Sequence, residues 1–418
     1  MSARRLLVVT AVALVAASPL EAQTVAITGA RVHPVSGAPI ESATVVIANG
    51  KVAAVGTDVV VPPSARVIDG RGKWVTPGLF NATTTLGLVE VGMEASTNDT
   101  TAEGERGVAA AVRAWDALNP ASPLWAPARN EGVTTVGVLP VGGLVAGQGA
   151  VVDTAPGTPA EMMRRAPAAM VASVASPSVV KAKARGELFN RLRELLDDAR
   201  VYAAKKPAFE SAALRPLAAS AADLAALQPV LDGRLLLLLE ANRATDIEAA
   251  MGIGRDYRIR VGILGGAEAW MVAAPLAAAK VPVFTTALEN IPSSFASLGQ
   301  RQENAALLRK AGVAVVLTAG FGEYYNVRNV RQHAGNAIAY GLPWDEALRA
   351  VTLAPAEALG VADTVGAIAV GKDANLVVWD GDPFEFATRA EHVFVRGHEV
   401  QGPSRQDLLT EKYLQRQQ

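Results

Sequence analysis

The sequence predicts an α/β fold: a TIM-like (β/α) barrel carrying a small β-sandwich that the two ends of the chain build together. Three observations predict it. Residues 24–70 alternate apolar with polar or small residues in short runs, residues 365–401 repeat that pattern, and between them strand-like and helix-like stretches alternate as a parallel barrel requires.

The elements follow in order. Arg4 and Arg5 precede an apolar run over 6–17, with Pro19 and then Ala22 beyond it, the pattern of a secretory signal cleaved after residue 22. That run is too short to span a membrane, which takes about 20 residues. The first β-rich segment is punctuated by Ser36-Gly37, Asn49-Gly50 and Pro62-Pro63, and Asn-Gly is the strongest short hairpin signal. Barrel strands are expected at 78–85, 132–139, 168–173, 234–241, 259–264, 281–286 and 313–318, leaving an eighth weakly marked or lost. A helix is expected over 179–205, with Leu188, Leu192, Leu195, Leu196 and Ala199 on one packing face. The expected organisation is a signal peptide at 1–22, a composite sandwich from 23–75 and 361–401, a barrel over 76–360 and a tail over 402–418.

Composition narrows the function. With 418 residues, 50% hydrophobic content and a formal net charge of −1, the chain can bury a large core and has no bias toward nucleic acid. It has no cysteine, so disulfides and lipoprotein anchoring through a thiol are excluded. The glycine-rich stretch 141–149 lacks the Gly-Lys-Ser/Thr ending of a phosphate-binding loop and is expected to be a substrate loop. No nucleophile elbow occurs.

Residues 75–87 read Val-Thr-Pro-Gly-Leu-Phe-Asn-Ala-Thr-Thr-Thr-Leu-Gly. This segment resembles the first barrel strand of the amidohydrolase superfamily, of imidazolonepropionase-like and dihydroorotase-like kind, which normally runs Pro-Gly-Leu-Ile-Asp-x-His-x-His and holds a divalent metal. The resemblance extends to both ends of the chain. Residues 25–32 and 43–56 look like the opening hairpins. Thr352-Leu353-Ala354-Pro355-Ala356-Glu357-Ala358-Leu359-Gly360 and the run 366–380, with Gly371-Lys372-Asp373-Ala374-Asn375, are similar to the closing helix and strand, Asn375 standing where an aspartate is usual.

The resemblance implies hydrolysis of non-peptide C–N bonds, and the metal-binding positions can be followed one by one. Thr83 and Thr85 stand for the two histidines, Glu240 for the histidine ending the fifth strand, Gly265 or Gly266 for the sixth, and Ala319 or Gly320 for the final aspartate. Lys181 and Lys183 fall at a helix start, so neither is a bridging lysine. Of the four histidines, His33, His392 and His398 lie in sandwich segments, and His333 lies in a helix-like stretch suited to packing. No metal ligand set and no cofactor are therefore expected. Glu240, Glu268, Glu289 and Glu323 all follow expected strands toward the mouth, and of these Glu240 and Glu268 are expected to cap or salt-bridge within the loops, with Arg243 the local partner of Glu240.

What remains is a barrel mouth with polar and aromatic groups: Asn81, Thr83, Thr85, Glu240, Asn242, Arg243, Trp270, Glu289 and Tyr324, with Asn290 and Tyr325 beside them. Such a mixture suits a small-molecule site. Two functions follow from the resemblance. One is a degenerate amidohydrolase that binds a small ligand, or that pairs with itself or an active relative. The other is an active hydrolase of non-peptide C–N bonds with an atypical carboxylate centre, Glu240 acting as base. The expected location is the periplasm or outside the cell.

Overall fold

The computed structural model describes residues 24–415 apart from 103, 176–181, 212, 214, 289–291, 293 and 401. The signal segment, Lys181, Glu289 and Asn290 lie outside the described residues.

The chain opens with β1 (Val25–Val32), β2 (Ile40–Ala48), β3 (Lys51–Gly56), β4 (Arg66–Asp69) and β5 (Trp74–Pro77). Asn49 and Gly50 both take positive φ, 51° and 77°, as a two-residue hairpin turn between β2 and β3 demands. The barrel follows with β6 (Leu79–Thr84), β7 (Val133–Val138), β8 (Val145–Asp153), β9 (Met163–Ser173), β10 (Leu236–Ala241), β11 (Val261–Gly265), β12 (Val283–Thr285) and β13 (Val315–Leu317). The chain then returns to the first sheet through β14 (Leu376–Trp379), β15 (Ala390–Val395) and β16 (His398–Glu399).

The terminal sheet runs β16-β15-β14-β5-β1-β2-β3. It forks at β1, whose edge opposite β2 pairs with β4 through residues 25–28 and with β5 through residues 31–32. An apolar cluster including Ile27, Val45, Ile47, Leu376 and Phe394 fills this unit. Strand β14 serves two cores at once. Leu376 and Val378 join the terminal cluster, whereas Val377 and Trp379 join the main one, the alternation a strand buried on both faces requires.

The barrel sheet runs in chain order from β6 to β13. All seven expected strands are present, and β8 is the eighth. It is antiparallel to both β7 and β9, because only six residues separate β7 from β8, too few for a crossover back to a parallel start. Residues 145–149 are thus strand rather than the expected substrate loop. Gly147 and Gly149 hid the strand by interrupting its β-forming residues, and both are needed for space. A Cβ on Gly149 would sit 2.2 Å from Leu139, and one on Gly147 2.7 Å from the Val112 carbonyl.

The expected long helix runs Arg185–Ala204, with Leu188, Leu192, Leu195, Leu196 and Ala199 buried. Phe80, Val171, Leu238, Leu264, Phe284 and Val316, drawn from six strands, pack together as the barrel interior. Ala354 and Ala356 of the helix Leu353–Ala358 pack onto the same cluster, and the Phe80 N–H donates to the Val351 carbonyl near the start of β6. The functional face is therefore the opposite end, at the strand C-termini.

Candidate functional site

The mouth begins at the seam between the first and last barrel strands. No regular ladder joins β6 to β13, and side chains close the gap. The Thr83 hydroxyl donates to the Gly320 carbonyl at 3.2 Å, the Thr85 hydroxyl to the Gly322 carbonyl at 2.8 Å, and Asn81 Nδ2 to the Val327 carbonyl at 3.1 Å. The Thr85 N–H adds a bond to the Glu323 carbonyl at 3.0 Å. All three side chains are buried. Glu323 Oε1 accepts the N–H groups of Tyr324, Tyr325 and Asn326 at 2.9, 2.8 and 2.9 Å, holding the loop that these bonds reach. The Tyr324 hydroxyl accepts the Gly92 N–H at 3.1 Å, so it fastens this loop to the one after β6.

A second group sits at the ends of β9 and β10. The parallel register places Ser173 beside Glu240, and the serine hydroxyl donates to Glu240 Oε2 at 2.8 Å. Burial raises the Glu240 carboxyl above the usual range, and the Ser173 hydrogen bond partly offsets that rise. The sequence suggested Arg243 as its partner, which the structure corrects. Arg243 is the residue before the helix Ala244–Tyr257 and reaches into its first turn, donating to Asp246 at 2.8 Å from Nε and 2.6 Å from Nη2. A guanidinium at that position meets a carboxylate three residues ahead more readily than one behind it in a strand.

The third group surrounds the ends of β11 and β12. Glu268 is a cap, as expected: Oε2 accepts the Ala244 N–H at 3.0 Å and Oε1 the Gly299 N–H at 2.9 Å. Beside it lies a polar cavity of about 180 Å³ lined by Asn242, Thr285, Thr286, Gln300, Arg301 and Asn304 among others. Trp270 forms part of its frame, donating from Nε1 to the Gly299 carbonyl at 2.8 Å and from its backbone to Asn304 Oδ1 at 3.1 Å. The Arg301 guanidinium lies 4.8 Å from the Trp270 ring centre. Gly265, at φ 89°, is held to glycine because a Cβ would come within 2.5 Å of Asn242 Oδ1.

The structure therefore divides the expected site rather than gathering it. Asn81, Thr83, Thr85 and Tyr324 belong to the seam, Glu240 to Ser173, Arg243 to Asp246, and Asn242 and Trp270 to the small cavity. Sequence reading missed Ser173, Thr285, Arg301 and Asn304. Only β-strand register could have pointed to Ser173, and the cavity residues lie in or beside a stretch without periodicity.

Three of the four histidines have structural partners. His333, in the helix Val330–Ala339, accepts the Ala287 N–H at Nδ1 over 2.9 Å, which places the proton of the neutral ring on Nε2. His392 pairs with Glu399 at 2.6 Å. His33 stacks on Trp74 at 4.7 Å between ring centres. Among the described residues no group of three or more His, Cys, Asp or Glu side chains is placed to hold a metal ion, and no helix is long and apolar enough to cross a membrane.

An eight-stranded barrel joined to a sheet built from both chain ends defines the structural class, and comparison with known proteins then places the chain in it. The amidohydrolase family model matches residues 268–401. An amidohydrolase, tasK, of Hapsidospora irregularis is 40% identical over 72 residues, 17% of this chain and 7% of the relative. An imidazolonepropionase of Shewanella putrefaciens is 36% identical over 93 residues, 22% of this chain and 23% of the relative. These matches thus span less than a quarter of the relatives' lengths. A crystal structure of an amidohydrolase from Thermotoga maritima MSB8 aligns over 90% of this chain and 99% of its own, with a TM-score of 0.82 and 28% identity. The chain belongs to the amidohydrolase superfamily.

Proposed function

We propose that this chain is a catalytically degenerate amidohydrolase whose barrel mouth binds a small polar molecule, or a partner, instead of supporting metal-dependent hydrolysis. The observation that carries this reading is the bonding of Thr83 and Thr85. At the positions where the family resemblance implies two metal-binding histidines, both side chains are neutral, buried and donating to carbonyls of the seam. Divalent metals are held by imidazole, thiolate or carboxylate groups, and the nearby carboxylates are committed elsewhere. Glu268 and Glu323 accept backbone N–H groups, and Glu240 accepts from Ser173. This donor set does not fit a metal.

The cavity beside Asn242 supports ligand binding. Its walls supply hydroxyl, amide and guanidinium groups, and its volume suits a ligand of a few heavy atoms. The test is metal content by elemental mass spectrometry on protein purified without chelators. The expected result is no stoichiometric zinc, manganese, iron, nickel or cobalt. Stoichiometric metal that disappears in Glu240→Ala would overturn the reading.

A second reading is favoured by Glu240 alone: a partly buried carboxyl with a raised pKa, beside a hydroxyl, is suited to act as a general base. It predicts turnover of N-acyl or ureido compounds that is lost in Glu240→Gln. The N-terminal segment supports export to the periplasm or beyond, and sequencing the N-terminus of the exported protein tests this. Self-association or pairing with an active relative remains part of the proposal, tested by light scattering.

A further inference from the structure

At the opposite end of the barrel from the mouth, a groove of about 810 Å³ runs between the ends of two helices and the starts of β10, β11 and β12. The helix after β10, Ala244–Tyr257, runs for fourteen residues, whereas the one after β11, Ala273–Ala278, runs for six. Met251 and Val281 contribute to an apolar lining, and Arg255, Arg260 and Lys280 lie on it with a single acid, Glu248. The cationic side chains are exposed. Arg255 has a loose pairing with Asp256 at 3.7 Å, and the side chains of Arg260 and Lys280 have no hydrogen-bond or ion-pair partner among the described residues. Lys280 also holds φ at 53°, where glycine would be unstrained, so a cation stands at a position whose backbone favours no side chain.

We propose that this groove binds an amphiphilic monoanion, a free carboxylate carried on a hydrocarbon body. The volume falls within the range of small-molecule sites. The apolar lining accepts the hydrocarbon, since burying each methylene is favourable by roughly the same increment. With Arg255 loosely paired to Asp256, the unpaired Arg260 and Lys280 against Glu248 still leave an excess of positive charge to receive the head group. This site goes beyond the mouth and is independent of whether the mouth is catalytic.

The experiment is calorimetric titration of the full chain with dodecanoate below its micelle concentration, with dodecyltrimethylammonium and phosphatidylglycerol vesicles in parallel. The expected result is one dodecanoate per chain, with affinity reduced about tenfold or more in Arg260→Glu/Lys280→Glu, equivalent to ~1.4 kcal/mol. Met251→Trp, which fills the groove without changing charge, also weakens uptake, whereas Asn242→Ala at the mouth leaves it unchanged. Circular dichroism checks that each variant is folded. The proposal is overturned by absence of dodecanoate binding, by equal binding of the cationic amphiphile, by binding to vesicles alone, or by loss in Asn242→Ala with retention in the charge-reversed variant.

Discussion

Asn375 Nδ2 donates to Asp153 Oδ1 at 3.0 Å, across the junction between the terminal sheet and the barrel. The same asparagine accepts the Arg396 N–H at 2.7 Å and Arg164 Nη2 at 3.3 Å through Oδ1. Asp153, almost wholly buried, also receives Arg164 Nε at 2.5 Å and Arg396 Nε at 2.6 Å. An aspartate at 375, usual in the family the sequence resembles, would face Asp153 as a second carboxylate and would offer no donor. The amide is thus the partner that Asp153 requires.

Asn375→Asp is accordingly expected to destabilise the chain by about 2 kcal/mol, since it replaces a buried hydrogen bond by a like-charge contact that Arg164 only partly relieves. Urea unfolding measures this. Adding Asp153→Asn to Asn375→Asp recovers part of the loss, because the donor and acceptor are then exchanged.

Thr85→Val keeps the shape of the seam but leaves the Gly322 carbonyl unpaired. A cost of about 1–2 kcal/mol is expected, with Thr85→Ser retaining the hydrogen bond. Placing histidine at both 83 and 85 is expected to cost about 1–3 kcal/mol through overpacking of buried positions. It confers no zinc binding, because Glu240 brings Ser173 rather than another ligand. Thermal melts with and without added zinc distinguish these outcomes.

The raised Glu240 pKa sets a pH dependence. An acid whose folded pKa lies above its unfolded value contributes stability below the unfolded value, and that contribution is lost as pH rises through the folded one. Glu240→Gln should therefore be close to wild type in acid and more stable than wild type at pH 8. Urea midpoints across that window check the sign.

His33 has the opposite dependence. Burial first, and the Arg31 charge second, lower its pKa to about 4, with Asp382 opposing. It is neutral in both states above its unfolded pKa of about 6.5. As pH falls from there toward 4 the unfolded chain gains a proton that the folded chain refuses, so stability falls, by at most about 3–4 kcal/mol. Below that window the loss is complete. His33→Phe, which keeps an aromatic ring beside Trp74 and Trp344, should flatten this part of the curve.

Local pattern alone determined much of this protein. Seven barrel strands, the Asn49-Gly50 hairpin, the apolar face of the long helix and the family resemblance at both ends were legible, because period, turn chemistry and motif act over a few neighbouring residues. The capping of Glu268 and the packing of His333 were also correctly expected. Tertiary structure alone decided the rest. Strand β8 is specified by glycines that avoid contacts with Leu139 and Val112, which no local propensity records. Ser173 reaches Glu240 only through strand register, and Asn375 meets Asp153 from 222 residues away. Hydrogen bonds between distant elements depend on where the backbone closes, and closure of the β6–β13 seam is what turned two threonines into its fasteners.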